Sequence, residues 1–201
     1  MSIIKAIFKA LILFLNSIRL FPHYLFFKFG RNNAILDYDL KRWMLILYQK
    51  KYASGADFIR LMASHPEFRN LFYYRAGRFA ALFSFLCPKM NTLFIETAEI
   101  GPGLFIQHGF ATIIAARSLG KDCWVNQQVT IGFANRNDCP VLQDNVTVNA
   151  GAKVIGGVTV GSGSTIGANA VVVKNVPENC VVVGVPAYIV KRDGLKVREE
   201  L

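Results

Sequence analysis

From Ile100 onward, aliphatic residues recur every six positions. Leu142, Val148, Val154, Val160, Ile166 and Val172 carry the beat; Leu119, Val125 and Ile131 keep it upstream, as do Ile100 and Ile106. Gly or Asn often stands directly behind the beat residue, as in Ile100-Gly101, Leu119-Gly120, Val125-Asn126 and Ile166-Gly167. A period of six fits neither a helix at ~3.6 nor a plain strand at ~2. It predicts a parallel β-helix, in which each six-residue unit is one short side of a triangular coil and the beat residue points inward. Gly and Asn take the tight corners, where positive φ is common. Three sides make a coil of about eighteen residues, so positions that far apart stack vertically.

The beat breaks in two places. Between Ile131 and Leu142 the interval is eleven residues, and the excess, FANRNDCP, is polar and must loop out from a corner. Between Ile106 and Leu119 it slips by one residue, just after His108 in the run FIQHGFATII. A polar departure from a regular scaffold is a usual place for function. Both therefore argue against reading His108 as an ordinary core histidine.

The first ninety-odd residues read as helices. In MSIIKAIFKALILFLNSIRLFP, Lys5, Lys9, Asn16 and Arg19 share one arc of a helical wheel, and nearly everything else is Ile, Leu, Phe or Ala. No stretch reaches the ~18–20 uncharged apolar residues of a spanning helix. A wide apolar face beside a narrow basic stripe predicts a helix in the membrane interface, ended by Pro22 and followed by the aromatic, basic YLFFKFGR. A signal peptide and a helix buried in an oligomer contact are the competing readings. Helical periodicity returns over Asp37–Lys51, and Gly55 marks a break. Ser64-His65-Pro66 predicts a helix start with a capping serine and a solvated histidine, and the helix is expected to run through EFRNLFYYRAGRFAALFSFL to Pro88.

Charge sharpens the division. The net charge is +10, and residues 1–92 hold 14 Lys+Arg against 4 Asp+Glu, while residues 93–201 balance at 9 and 9. A basic half attracts nucleic acid or an anionic membrane. Interleaved Leu and Ile do not stack on bases, so the membrane is expected and nucleic acid is not. The four cysteines form no CxxC pair, and the three histidines are too scattered for a metal cluster, so reduced thiols and no metal are expected.

The motifs IGPGLFIQHGFATII, VTIG, NAGAKVIGGVTVGSGSTIGANAVVVKNVP and GVPAYIVKR together resemble the left-handed β-helix acyltransferases of the hexapeptide-repeat family. Within it, the chain is most similar to serine acetyltransferases and to the O-acetyltransferases of polysaccharide synthesis; YYRAGRF also resembles the helix preceding the β-helix in the serine enzymes. Periodicity and charge together with the resemblance give an α+β chain: an amphipathic segment at 1–35, a helical region at 36–92, a left-handed β-helix at 93–192 and a polar tail at 193–201. The match covers roughly residues 70–192, and the first sixty residues match the serine enzymes poorly. The resemblance implies a homotrimer, or a dimer of trimers, with acetyl-CoA as co-substrate at sites between prisms. His108 matches the catalytic base, and an imidazole is suited to accept a proton at neutral pH. Ala150 and Ala168 would line a slot for the pantetheine arm, with Phe133, Lys174 and Lys191 completing the cofactor set. Gln107, Asn135, Asp138 and Cys139 would meet the acceptor.

Departures from the serine enzymes shape the expected acceptor. Leu93 stands where their histidine-orienting aspartate falls, with Glu96 and Glu99 out of register. Gln107 replaces their acidic serine-binding residue, and Asp138-Cys139 replaces their Arg-His pair. An amino acid would lose its partners for both charged ends. The expected function is therefore acetyl-CoA-dependent O-acetylation of a sugar hydroxyl of a surface glycan or its precursor, on the cytoplasmic face of the cell membrane. The alternatives are serine O-acetyltransfer and a non-enzymatic trimeric membrane scaffold. Cys139 has no histidine near it in sequence, which speaks against a thiol nucleophile.

Overall fold

The computed structural model describes residues 2–201, apart from the side chains of residues 2–4 and 6; Met1 of the expected amphipathic segment lies outside them. The chain forms two compact units, Met1–Met90 and Asn91–Leu201.

The first unit is helical: α1 (Ser2–Arg19), α2 (Phe21–Phe29), α3 (Asn33–Tyr48), α4 (Gly55–Ser64), α5 (Pro66–Ala76) and α6 (Arg78–Ala81). Leu36, Leu40, Trp43 and Met44 repeat at helical spacing along α3 and bury one face of it. They close a core with Phe58 and Leu61 of α4 and Phe68 and Phe72 of α5, all fully buried. Phe27 stacks on Phe58 with ring centroids 4.5 Å apart. Inside this core, the Arg75 guanidinium donates to the Asp39 carboxylate at 3.0 Å.

Several local expectations are corrected. Pro22 does not merely stop a helix, because it occupies the first turn of α2, where its missing N–H costs nothing. Ser64 does not cap α5: its hydroxyl donates back to the Arg60 carbonyl, and His65 is the capping residue. His65 is not solvated; it packs edge-on against Trp43 and Tyr48, and burial lowers its pKa. The helix expected to reach Pro88 breaks at Gly77, whose φ of +80° lies in the left-handed region. The expected polar tail, residues 193–201, is not a tail, since Leu195–Glu200 is a strand.

The second unit is a left-handed parallel β-helix of five stacked coils. The first coil holds β1 (Leu93–Ile95), β2 (Glu99–Ile100) and β3 (Phe105–Ile106). The second holds β4 (Thr112–Ile114), β5 (Ser118–Leu119) and β6 (Trp124–Val125). The third holds β7 (Thr130–Gly132), β8 (Val141–Leu142) and β9 (Thr147–Val148), and the fourth β10 (Lys153–Ile155), β11 (Thr159–Val160) and β12 (Thr165–Ile166). The fifth runs from β13 (Val171–Val172) through a bridge of Val176 to Val160 into β14 (Cys180–Val183). β15 (Tyr188–Arg192) and β16 (Leu195–Glu200) then fold back antiparallel on β14.

All eleven beat residues are buried. They stack in columns: Ile131 on Val154 on Val172, Leu119 on Leu142 on Val160, and Val125 on Val148 on Ile166. The first strands of the coils form one face, the second strands another, and the third strands the last.

The helical core also holds a titratable group. The Tyr73 hydroxyl donates to the Cys87 carbonyl at 2.9 Å, which leaves His23 Nε2 as donor to Tyr73 Oη at 2.7 Å. Burial pushes the His23 pKa down from 6.5 to about 4. As pH falls, the unfolded chain takes up this proton first, so stability is full above 6.5 and declines toward about 4. The resulting loss, ~3 kcal/mol in all, should appear as a falling urea midpoint, and His23→Gln should flatten most of that slope.

Candidate active site

Each coil turns through three corners, and the expected site residues other than Lys191 divide between two of them. His108 follows β3, at the edge where the third-strand face meets the first-strand face. Gln127, Ala150 and Ala168 follow β6, β9 and β12 and occupy the same edge one coil after another. Backbone hydrogen bonds fix that stacking: Gln128 N to Phe110 O at 3.0 Å, Gly151 N to Gln127 O at 3.0 Å, and Asn169 N to Ala150 O at 2.9 Å. With coils ~4.8 Å apart, Ala150 lies about 10 Å and Ala168 about 14 Å along the edge from His108.

The slip in the beat is visible in the backbone at His108. Ile106 and Ile114, both buried, are eight residues apart instead of six, and the excess is a double turn through His108-Gly109-Phe110-Ala111. His108 and Ala111 both take left-handed φ, +57° and +52°. The Phe110 N–H closes back on the His108 carbonyl. Holding a residue with a Cβ in this region costs of order 1 kcal/mol; Gln128 and Asn169 take the same conformation on this edge, so it is a corner requirement of the coil, and the imidazole is what distinguishes this turn. The imidazole is exposed, and its Nε2 lies 3.5 Å from Gln107 Nε2. His108 is thus a surface residue on a fixed turn, not a core histidine.

Beneath Gln107 runs a polar column that sequence reading missed. Asn126 and Asn149 follow β6 and β9 at the same corner. Trp124 Nε1 donates to Asn126 Oδ1 at 2.9 Å, Asn126 Nδ2 to Asn149 Oδ1 at 3.3 Å, and Asn149 Nδ2 to the Ile166 carbonyl at 2.9 Å. Its only signal was the Asn behind the beat residue, which serves equally well as a corner former. Lys153 was also missed; its ammonium donates to the Gln128 carbonyl at 2.5 Å and places a cation on this edge.

The looped-out segment lies on a different edge. It leaves β7 and returns at β8, where the first-strand face meets the second-strand face. Asn135 bonds Asp138 side chain to side chain, and the Cys139 thiol donates to the Ala115 carbonyl at 3.3 Å, one coil below. The loop therefore stays on its own edge. Phe133, exposed, is there too, as is Lys174, whose ammonium donates to the Leu201 carbonyl at 2.7 Å. Lys191 sits apart in β15, opposite Val181 and Lys196. Within one chain, then, His108, Gln107, Ala150 and Ala168 share an edge, whereas Phe133, Asn135, Asp138 and Cys139 do not join them. One side of six residues at ~3.3 Å each puts roughly 20 Å between the two edges.

No carboxylate of this unit stands beside His108 among the described contacts. Leu93 is buried in β1 opposite Thr112. Glu96 and Glu99 are exposed, on the opposite corner and the second face.

Comparison with known proteins places this scaffold. The family model for "Bacterial transferase hexapeptide (six repeats)" matches residues 139–174. Serine acetyltransferase of Synechococcus elongatus is 39% identical over 104 residues, 50% of this chain and 43% of its own length. Serine acetyltransferase of Staphylococcus aureus is 41% identical over 104 residues, 50% of this chain and 49% of its own. The chain thus spans less than half the length of these two relatives. Among solved structures, Neisseria gonorrhoeae serine acetyltransferase aligns with a TM-score of 0.66 at 24% identity, covering 85% of this chain and 70% of that one. The Brucella abortus enzyme in complex with coenzyme A aligns with a TM-score of 0.58 at 27% identity, covering 80% and 68%.

Cys139 is the one thiol near the expected acceptor residues, and burial pushes its pKa up. A raised thiol is a poor nucleophile. At about pH 7.5 it should alkylate with iodoacetamide more slowly than free cysteine, read by mass spectrometry of the labelled peptide; faster labelling would restore it as a nucleophile.

Proposed function

We propose that the β-helix is an acetyl-CoA-dependent O-acetyltransferase in which His108 is the general base. The observation that carries this reading is an exposed imidazole, held by a left-handed turn, on the edge where the small residues Ala150 and Ala168 stack in register. A narrow channel for a pantetheine arm needs such positions, and the relative bound to coenzyme A shares the fold. In the proposed reaction, His108 takes the proton of an acceptor hydroxyl while its oxygen attacks the thioester carbonyl. The new C–O bond forms as the C–S bond breaks, and coenzyme A leaves as the thiol. Transfer is direct, with no acetyl-enzyme. A homotrimer serves this reading, because a neighbouring copy can bring its 133–139 loop against the His108 edge. Acetyl-CoA is a co-substrate here, and no metal is invoked.

For the acceptor, the names of the relatives favour L-serine, the alternative, over the sugar hydroxyl expected from sequence. The carbohydrate reading is kept as the second on specific residues. Leu93 and Gln107 offer neither of the carboxylates that an ammonium group and a charged imidazole would use. Asp138 is occupied by Asn135. Neutral hydrogen-bonding groups of this kind suit hydroxyls. Peripheral contact with a membrane through residues 1–30, on the cytoplasmic side, belongs to the carbohydrate reading, since a lipid-linked glycan precursor is met at that surface.

Acetyl-CoA consumption by purified protein, with L-serine in one arm and a panel of glycans and nucleotide sugars in the other, separates the two acceptors. Turnover with millimolar serine establishes the first; silence with serine and activity with a sugar establishes the second. In whichever arm is active, His108→Ala should lower kcat by ~10²-fold or more, and unchanged turnover would remove the base assignment. Ala168→Trp should instead raise KM for acetyl-CoA by about tenfold or more with a smaller change in kcat.

A further inference from the structure

An amphipathic helix packed on a protein core turns its apolar stripe inward. In α1 the polarity is reversed. The side toward α4 carries Lys9, Ala10, Asn16 and Ser17 beside Ile12 and Leu13, and it borders cavities of about 560 and 320 Å³ that both include Ala56 and Ile59. The opposite side carries Ile7, Phe8, Leu11, Phe14, Leu15 and Ile18, each between 51% and 63% exposed. On α2, Leu25 and Phe29 are four residues apart and exposed as well, whereas Phe21, also exposed, borders the smaller cavity beside Leu13 and Ser17. Six exposed large apolar residues on one side of a single helix exceed the scattered apolar residues normal on a protein surface.

Charge selects the occupant. No Asp or Glu precedes Asp37, and Lys5, Arg19, Lys28 and Arg31 are exposed around the row. A second copy covering this face would bring two strongly basic helical units together, whereas an anionic bilayer is complementary to it. Among the described residues no single helix is long and apolar enough to cross a membrane; α1 and α2 reach that length and composition only as a pair, bent by 69° at their junction. That bend suits two helices lying along a surface better than one spanning it.

We propose that α1 and α2 dock on an anionic bilayer, with α1 in the headgroup–acyl boundary, its outward row in the acyl layer and the flanking cations among the phosphates. This deepens the membrane contact of the proposed function and rests on that part alone, since lipid binding needs no acyl transfer.

The test is co-sedimentation of the full chain with sucrose-loaded phosphatidylcholine vesicles, with or without roughly one quarter phosphatidylglycerol, alongside acetyl-CoA turnover. The chain should pellet with the anionic vesicles, more weakly at high salt, and His108→Ala should pellet equally. The triple variant Leu11→Ser, Phe14→Ser, Ile18→Ser should partition about 100-fold less, with unchanged melting and unchanged mass by light scattering. Wild-type protein left in the supernatant, equal binding to neutral vesicles, or a triple variant that binds like wild type would each overturn the proposal. A fall in oligomeric mass in that variant would overturn it in favour of a second copy. Loss of turnover with vesicle binding intact would instead count against the acyl-transfer reading alone.

Discussion

Everything in the second unit depends on one constraint: an aliphatic side chain must fill the inside of each side of each coil, directly above its counterpart in the next. Val154 shows why. It is fully buried and lies between Ile131 and Val172 in register, so it has no other place to go. Interiors pack at crystal-like density, so a vacancy or an extra methylene there is felt by the neighbours above and below. Parallel ladders with ~4.8 Å spacing then fix the position of every corner residue along the edge. The regularity is an energetic requirement, and it leaves only the corners free to vary.

That freedom explains where the chemistry-bearing residues are. Five additional residues enter between β7 and β8 without disturbing the columns, because Leu119 still finds Leu142 and Val125 still finds Val148. The smaller excess after β3 is absorbed by placing His108 and Ala111 in left-handed conformations. A strand could not take in either insertion, since slipping by one residue would turn every beat residue outward. The scaffold thus holds His108 in place through its backbone while leaving its side chain in solvent.

Much of this was readable from the chain because the repeat carries its own length. The beat predicted the burial of Ile100 through Val172, and the two breaks in it marked the turn at His108 and the loop at 133–139. What could not be read was the third dimension of the site. Spacing alone does not say that Phe133 and Ala150 fall on different edges, because that depends on which strand of a coil precedes each. Single residues in the helical unit were misread where local and tertiary effects compete. Ser64 is a good capping residue that instead bonds Arg60, and Gly77 interrupts an otherwise apolar helical pattern. Leu195–Glu200 is charged and unremarkable in sequence, yet pairs with β15 because β14 and β15 leave an edge open.

The two units also carry different kinds of information about the acceptor. In the β-helix, the buried beat residues and the corner residues that set the coil outnumber the exposed side chains that could meet a substrate. Two or three exposed side chains at one corner can be replaced without moving a strand. Leu93 is such a case from the inside: buried in β1 against Thr112, it contributes apolar packing where a carboxylate would need a charged partner to be tolerated. The reversed polarity of α1 argues in the same direction. A free amino acid reaches an enzyme anywhere in the aqueous phase, so a docking surface built of Phe8, Leu11 and Phe14 would add nothing to its capture. For an acceptor confined to a lipid surface, the same helix raises the local concentration of the enzyme where its substrate is. Docking of α1 on a bilayer, as proposed above, would favour an acceptor met at that surface; without it, the row on α1 says nothing of the acceptor.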